Sequence, residues 1–117
     1  MSYMLLILEP RGQRVERGLE EGKKVYEKMV GFAADLKERG VLQAVESLVS
    51  DDKATRVQLR EGKQRLLDGP FAEAKEMVGG FFLLDCATRD EAIAIARECP
   101  AAEWATVEVR ATGPCYT

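Results

Sequence analysis

The chain has 117 residues, 32% of them charged, with a formal net charge of −3 and no histidine. That length makes one domain spanning 1–117. The lack of a basic stripe argues against nucleic acid, and no apolar run approaches the roughly 20 residues of a membrane helix. The missing histidine removes a histidine general base, a Ser–His pair and a histidine metal triad together, leaving Asp, Glu, Lys, Arg, Tyr or Cys for any chemistry.

Tyr3 to Leu8 predicts a strand apolar on both faces, with Tyr3, Leu5 and Ile7 on one and Met4, Leu6 and Leu8 on the other. The N-terminus has neither a basic n-region nor a small-residue cleavage site, so it does not read as a signal peptide. Glu9-Pro10-Arg11-Gly12 ends the strand. The stretch punctuated by Gly12, Gly18 and Gly22 predicts a loop or frayed turn. A helix follows from Lys23 to Arg39, with Val25, Met29, Phe32 and Leu36 on its apolar face and Gly40 as the residue that ends it.

Val41 to Val45 predicts a second strand and Ser50–Lys53 a turn. Thr55–Arg60 and Gln64–Leu67 then form a hairpin closed by Glu61-Gly62-Lys63. Asp68-Gly69-Pro70 stops that hairpin, and Ala72–Met77 reads as a helical turn. Gly80 to Cys86 is the most strongly apolar strand. Thr88 and Glu91 form a capping box opening a helix with Ala92, Ile95, Ala96 and Cys99 on its face, closed by Pro100. Trp104 to Arg110 alternates as the last strand.

The order strand–helix–strand, inserted hairpin, strand–helix–strand predicts an α+β, ferredoxin-like split βαβ fold. Two helices cover one face of such a sheet, yet the first strand and Phe81–Leu84 are apolar on both. A second copy packed by two-fold symmetry covers the other face most simply, so a homodimer is expected. Cys86, Cys99 and Cys115 are odd in number and lack CxxC spacing. They imply reduced thiols in a cytoplasm and no cysteine metal site; neither metal nor cofactor is expected.

The segment LDGPFAEAKEMVGGFF (Leu67–Phe82), with the first strand, Ala87–Ala92 and Val107-Glu108-Val109-Arg110, resembles the DGPF-domain branch of the YCII-related superfamily from Tyr3 to Arg110. The resemblance implies a dimeric α+β barrel with a cleft lined by the DGPF segment, and points to Asp68 as a site residue. The residues alone allow two readings of Asp68: a catalytic carboxylate held by the Gly69-Pro70 turn, or an ordinary Asx turn. Glu73, Lys75 and Glu76 read as ligand-binding groups or as a solvated turn. Glu108 and Arg110, on the strand face away from the helices, read as ligand-binding groups or as an interface pair. If the hairpin folds over that face, Asp68, Glu73, Lys75 and Arg110 converge on one cleft.

The wider superfamily resembles lyases with a His–Asp dyad. The matching positions fall near Lys28 and Glu38, so the dyad does not carry over. The reading is therefore a small cytoplasmic dimer binding a small polar or anionic molecule, with acid–base catalysis available only without histidine. The alternative is a non-catalytic regulatory or accessory protein, which the resemblance links to sigma-factor gene sets.

Overall fold

A computed structural model describes the chain from Ser2 to Tyr116. Its elements are β1 (Ser2–Pro10), α1 (Gln13–Glu38), β2 (Leu42–Ser47), β3 (Thr55–Arg60), β4 (Lys63–Asp68), β5 (Glu76–Asp85), α2 (Arg89–Glu98) and β6 (Thr106–Ala111). Four strands form an antiparallel sheet in the order β2-β5-β1-β6, and β3-β4 form a separate ribbon. This is the ferredoxin-like split βαβ arrangement with an inserted hairpin, as the pattern predicts.

Alternation along β1 sends Tyr3, Leu5 and Ile7 toward the helices, where they are buried, and leaves Met4, Leu6 and Leu8 half-buried on the other face. β5 repeats this with Phe82 and Leu84 inward and Phe81 and Leu83 outward. The core closes on Phe32 and Leu36 of α1 and Ala92, Ile95 and Ala96 of α2. Phe32 meets Phe82 edge-on at 5.3 Å, a geometry that stabilises by about 0.5–1.5 kcal/mol beyond burial.

The helix ends follow local chemistry. Gly40, at φ +76°, lets its own N–H donate to Lys37 O and the Val41 N–H donate to Leu36 O, the paired bonds of a Schellman motif. Thr88 Oγ1 accepts from Glu91 N at 3.2 Å, and Glu91 Oε2 accepts from Ala87 N at 2.9 Å, so the acid reaches back one residue beyond the N-cap, a variant of the capping box.

Three expectations are corrected. The glycine-punctuated stretch is not a loop: α1 starts at Gln13 and bends at Gly18, whose φ of 80° and ψ of 168° are not helical. Gln13 Nε2 donates to Trp104 O at 2.6 Å, and the Arg17 guanidinium lies 5.8 Å from the Trp104 ring, so distant residues hold this first turn. Ala72–Met77 is not a helical turn, because Lys75 O accepts from Arg11 N and β5 already pairs with β1 from Glu76. The hairpin does not fold over the sheet. Among its strand residues only Gln58 is not exposed.

Glu61 (φ 53°) and Gly62 (φ 76°) form the two-residue hairpin turn, both left-handed, which matches the right-handed twist of the strands. At the root of the hairpin the Gly69–Pro70 peptide is cis, and Gly69 N donates to Ala54 O at 2.8 Å. A side chain at Gly69 would collide with the Asp51 carbonyl, which explains the glycine.

Candidate functional site

The carboxylate and cationic groups singled out in the sequence lie at two places. Asp68 accepts from Thr55 Oγ1 at 2.9 Å across the hairpin and does not cap its own turn. Glu73 lies 3.9 Å from Arg56, whose guanidinium stacks 3.6 Å above the ring of buried Phe71. Lys75 and Glu76 are exposed where the chain enters β5. Arg110 pairs with Glu108 at 3.3 Å on β6, and both side chains are open to solvent. The structure thus brings Asp68 and Glu73 to the root of the hairpin and leaves Arg110 on the sheet.

Behind the hairpin root sits a charged clasp. Arg11 donates to both oxygens of Asp51, at 2.9 and 2.5 Å, and its Nε donates to Ala74 O at 2.7 Å. The hydrogen bond from Arg11 is the main reason the Asp51 carboxyl titrates below its usual range; burial opposes it and the Phe71 backbone N–H assists. The DGPF segment is therefore tied down by Arg11, Asp51 and Phe71.

The large cleft lies elsewhere, between α1 and the helix-facing side of the sheet. It spans about 1070 Å³; Val25, Tyr26, Met29, Val45, Phe82 and Trp104 are among its apolar lining, and Arg17, Lys23, Glu27 and Glu46 among its charged lining. None of the residues from Asp68 to Glu76 lines it, nor do Glu108 and Arg110. The cleft accordingly differs from the DGPF-lined one that the resemblance implies.

One carboxylate of this lining is buried. Glu9 is the fourth residue of the inward series Tyr3, Leu5, Ile7, Glu9, so strand alternation alone drives a carboxylate into the interior, and it remains only 9% exposed. Arg14, on the first turn of α1, places Nε 2.5 Å from Glu9 Oε1; its Nη2 donates to Oε2 at 3.1 Å and to Leu48 O at 2.9 Å. Oε1 is buried beside this cation without a hydrogen bond. The room for the carboxylate comes from Gly79: β5 bulges where Ile7 faces Gly80 and Leu8 faces Val78, and a side chain on Gly79 would overlap Glu9 Oε2.

Sequence reasoning passed over Glu9 and Arg14. The signal was present, because Glu9 extends an otherwise apolar inward face, and a charge on that face requires a partner.

Such an arrangement can hold a partly apolar molecule, accept a proton or hydrogen bond at Glu9, and face developing negative charge with Arg14. Among the described residues, no three His, Cys, Asp or Glu side chains are grouped to hold a metal ion. Burial raises the Cys86 and Cys99 thiols above their ordinary range, which keeps them protonated core groups.

Fold and cleft define a small α+β protein of ferredoxin-like architecture with its cavity between the first helix and the sheet. The chain belongs to the YCII-related family, whose domain matches residues 1–114. An uncharacterised protein of Rhizobium meliloti (strain 1021) is 37% identical to it over 98 residues, covering 84% of this chain and 79% of that protein. The fold is similar to that of 5-chloro-2-hydroxyhydroquinone dehydrochlorinase (TftG) from Burkholderia phenoliruptrix AC1100, in complex with 2,5-dihydroxybenzoquinone. The TM-score is 0.56 at 15% identity, over 97% of this chain and 94% of the dehydrochlorinase. No helix among the described residues is long and apolar enough to cross a membrane.

Proposed function

We propose that this protein binds a small, partly apolar molecule with a polar head in the cleft between α1 and the sheet. The head meets Glu9 and Arg14, and Glu9 is the group available for acid–base chemistry. The observation that carries this reading is the Glu9–Arg14 pair, its carboxylate only 9% exposed, on the wall of an open cleft of about 1070 Å³ with a mixed apolar and charged lining. Evolution of a stable core alone favours apolar residues at such a position, since desolvating a pair costs as much as its attraction returns. The similarly folded dehydrochlorinase, in complex with a small ring compound, supports this class of ligand. The protein acts as a cytoplasmic homodimer in this reading, a second copy covering Met4, Leu6, Leu8, Phe81 and Leu83.

A second reading keeps the ligand at the hairpin root, with Asp68 as the catalytic group and Glu73, Lys75, Glu76, Glu108 and Arg110 as its contacts. The charge gathered around Phe71 by Arg56, Glu73, Arg11 and Asp51 favours it.

Thermal-shift screening with small hydroxylated and carboxylated compounds tests the first reading. A ligand at a hundred times its dissociation constant stabilises by roughly 2.7 kcal/mol. A hit should bind Glu9→Gln at least tenfold more weakly. A hit bound equally by Glu9→Gln would overturn the Glu9 site, and a screen without any hit would overturn ligand binding.

A further inference from the structure

One helical turn crosses the end of the cleft. Gln13 to Arg17 form the first turn of α1, and the break at Gly18 separates it from the rest of the helix. Both of its joints are glycines at positive φ: Gly12 at φ 87° and ψ −10°, and Gly18 at φ 80° and ψ 168°. The second conformation is essentially closed to any other residue. A carbon added at either joint would meet nothing within 4 Å, so neighbouring atoms do not pack these joints in place.

The turn spans the sheet, whose strand order is β2-β5-β1-β6. On the β6 side Gln13 Nε2 donates to Trp104 O at 2.6 Å, Arg17 Nη2 donates to Gln13 Oε1 at 2.8 Å, and the Arg17 guanidinium lies over the Trp104 ring. On the β2 side Arg14 Nη2 donates to Leu48 O at 2.9 Å. Between these ends Arg14 lies against Glu9, whose Oε1 is buried without a hydrogen bond. No residue of the turn is buried, and Val15, its one apolar side chain, is 88% exposed. Polar contacts alone hold it, whereas β1 and β5 bury Leu5 and Leu84 completely. Segments with so little apolar burial are the ones that open without the rest of the fold.

We infer that residues 13–17 are a strap hinged at Gly12 and Gly18, which covers Glu9 when closed and bares it when open. The inference rests on the reading of Glu9 as the ligand-binding carboxylate. In the closed position Arg14 occupies the place against Glu9 Oε1 that the head of a ligand would take. Opening carries Arg14 away, and closing over a bound head brings its charge back onto that head. Gln13 and Arg17 are positioning residues: through Trp104 they set how much of the time Glu9 is covered.

Carboxyl labelling of the full chain with a water-soluble carbodiimide and glycine ethyl ester, read by peptide mass spectrometry, tests the inference. Asp51 is the internal control, because it too is partly buried against an arginine, but one outside the strap. In the wild type Glu9 should label about tenfold or more slower than exposed Glu16, at a rate that urea well below the unfolding midpoint leaves unchanged, since local opening exposes little surface. The double variant Gln13→Ala, Arg17→Ala should speed Glu9 about fivefold or more and move Asp51 less than twofold. Gly18→Ala should speed Glu9 as well, through the joint rather than the tether, because alanine does not hold the Gly18 conformation.

A wild-type Glu9 that labels as fast as Glu16 has no cover. One that labels only as urea unfolds the whole chain has no hinge. A Glu9 rate unchanged in the variants, or raised in step with Asp51, means that Trp104 and Gly18 do not govern its access. Each of these results overturns the inference. No ligand enters the experiment, so its failure leaves the thermal-shift screen to decide the ligand site, and a screen without hits leaves the labelling rates standing.

Discussion

Gly79 and the carboxylate of Glu9 claim one volume: a methyl group at position 79 would overlap Glu9 Oε2. Glycine at the β5 bulge is thus the seat of an inward-facing carboxylate, and the bulge and the cleft are one feature. Arg14 pairs with that carboxylate, and its Nη2 would lie 3.3 Å from the added carbon.

Gly79→Ala should therefore push the Glu9 carboxylate from its seat without unfolding the chain. The expected loss is about 1–2 kcal/mol, in the range of modest overpacking. Binding of a cleft ligand should fall at least tenfold. Gly80→Ala should cost more, because its added carbon meets the backbone carbonyl of Glu46 at 2.7 Å, which cannot swing aside as a side chain can. Urea denaturation of the two variants gives the order.

Arg14→Met strands Glu9 beside apolar surface. Loss of one partner of such a pair should cost about 1–3 kcal/mol. Adding Glu9→Leu should recover most of it, since an apolar pair avoids the desolvation cost. A double-mutant cycle by chemical denaturation measures the coupling; independent, additive losses would show that the pair does not act as a unit.

Alanine variants separate the two candidate sites. Arg110→Ala should change stability by less than about 0.5 kcal/mol, because its pair with Glu108 is solvent-exposed. Asp68→Ala should lose about 1 kcal/mol with the Thr55 hydrogen bond. Neither should weaken a cleft ligand more than twofold in a calorimetric titration, whereas the hairpin-root reading expects both to abolish binding.

Acid should release the clasp at Asp51. Arg11 lowers the carboxyl's folded-state pKa. The stability it contributes is complete above the unfolded aspartate value of about 3.9, and is lost as pH falls through the lower folded value. The stability gap between wild type and Asp51→Asn should stay constant from pH 5 to 7 and narrow below pH 4. Urea midpoints across that range check it, and a gap that widens in acid would contradict the assignment.

Much of the fold is legible in local chemistry. The alternation of Tyr3, Leu5 and Ile7, the Thr88–Glu91 cap, the Gly40 stop and the Glu61-Gly62 turn each act over a few residues, so the sequence by itself determined the elements and their split βαβ order. Tertiary structure alone decided the rest. Gln13 and Arg17 extend α1 because Trp104, some ninety residues away, receives them. Glu9 becomes a cleft residue only because β5 bulges at Gly79 and α1 delivers Arg14. The DGPF turn, whose composition resembles a binding loop, is drawn into a clasp by Arg11 and Asp51 from distant segments. Local patterns report the conformation of a few neighbouring residues, whereas a site depends on which distant side chains share one desolvated volume.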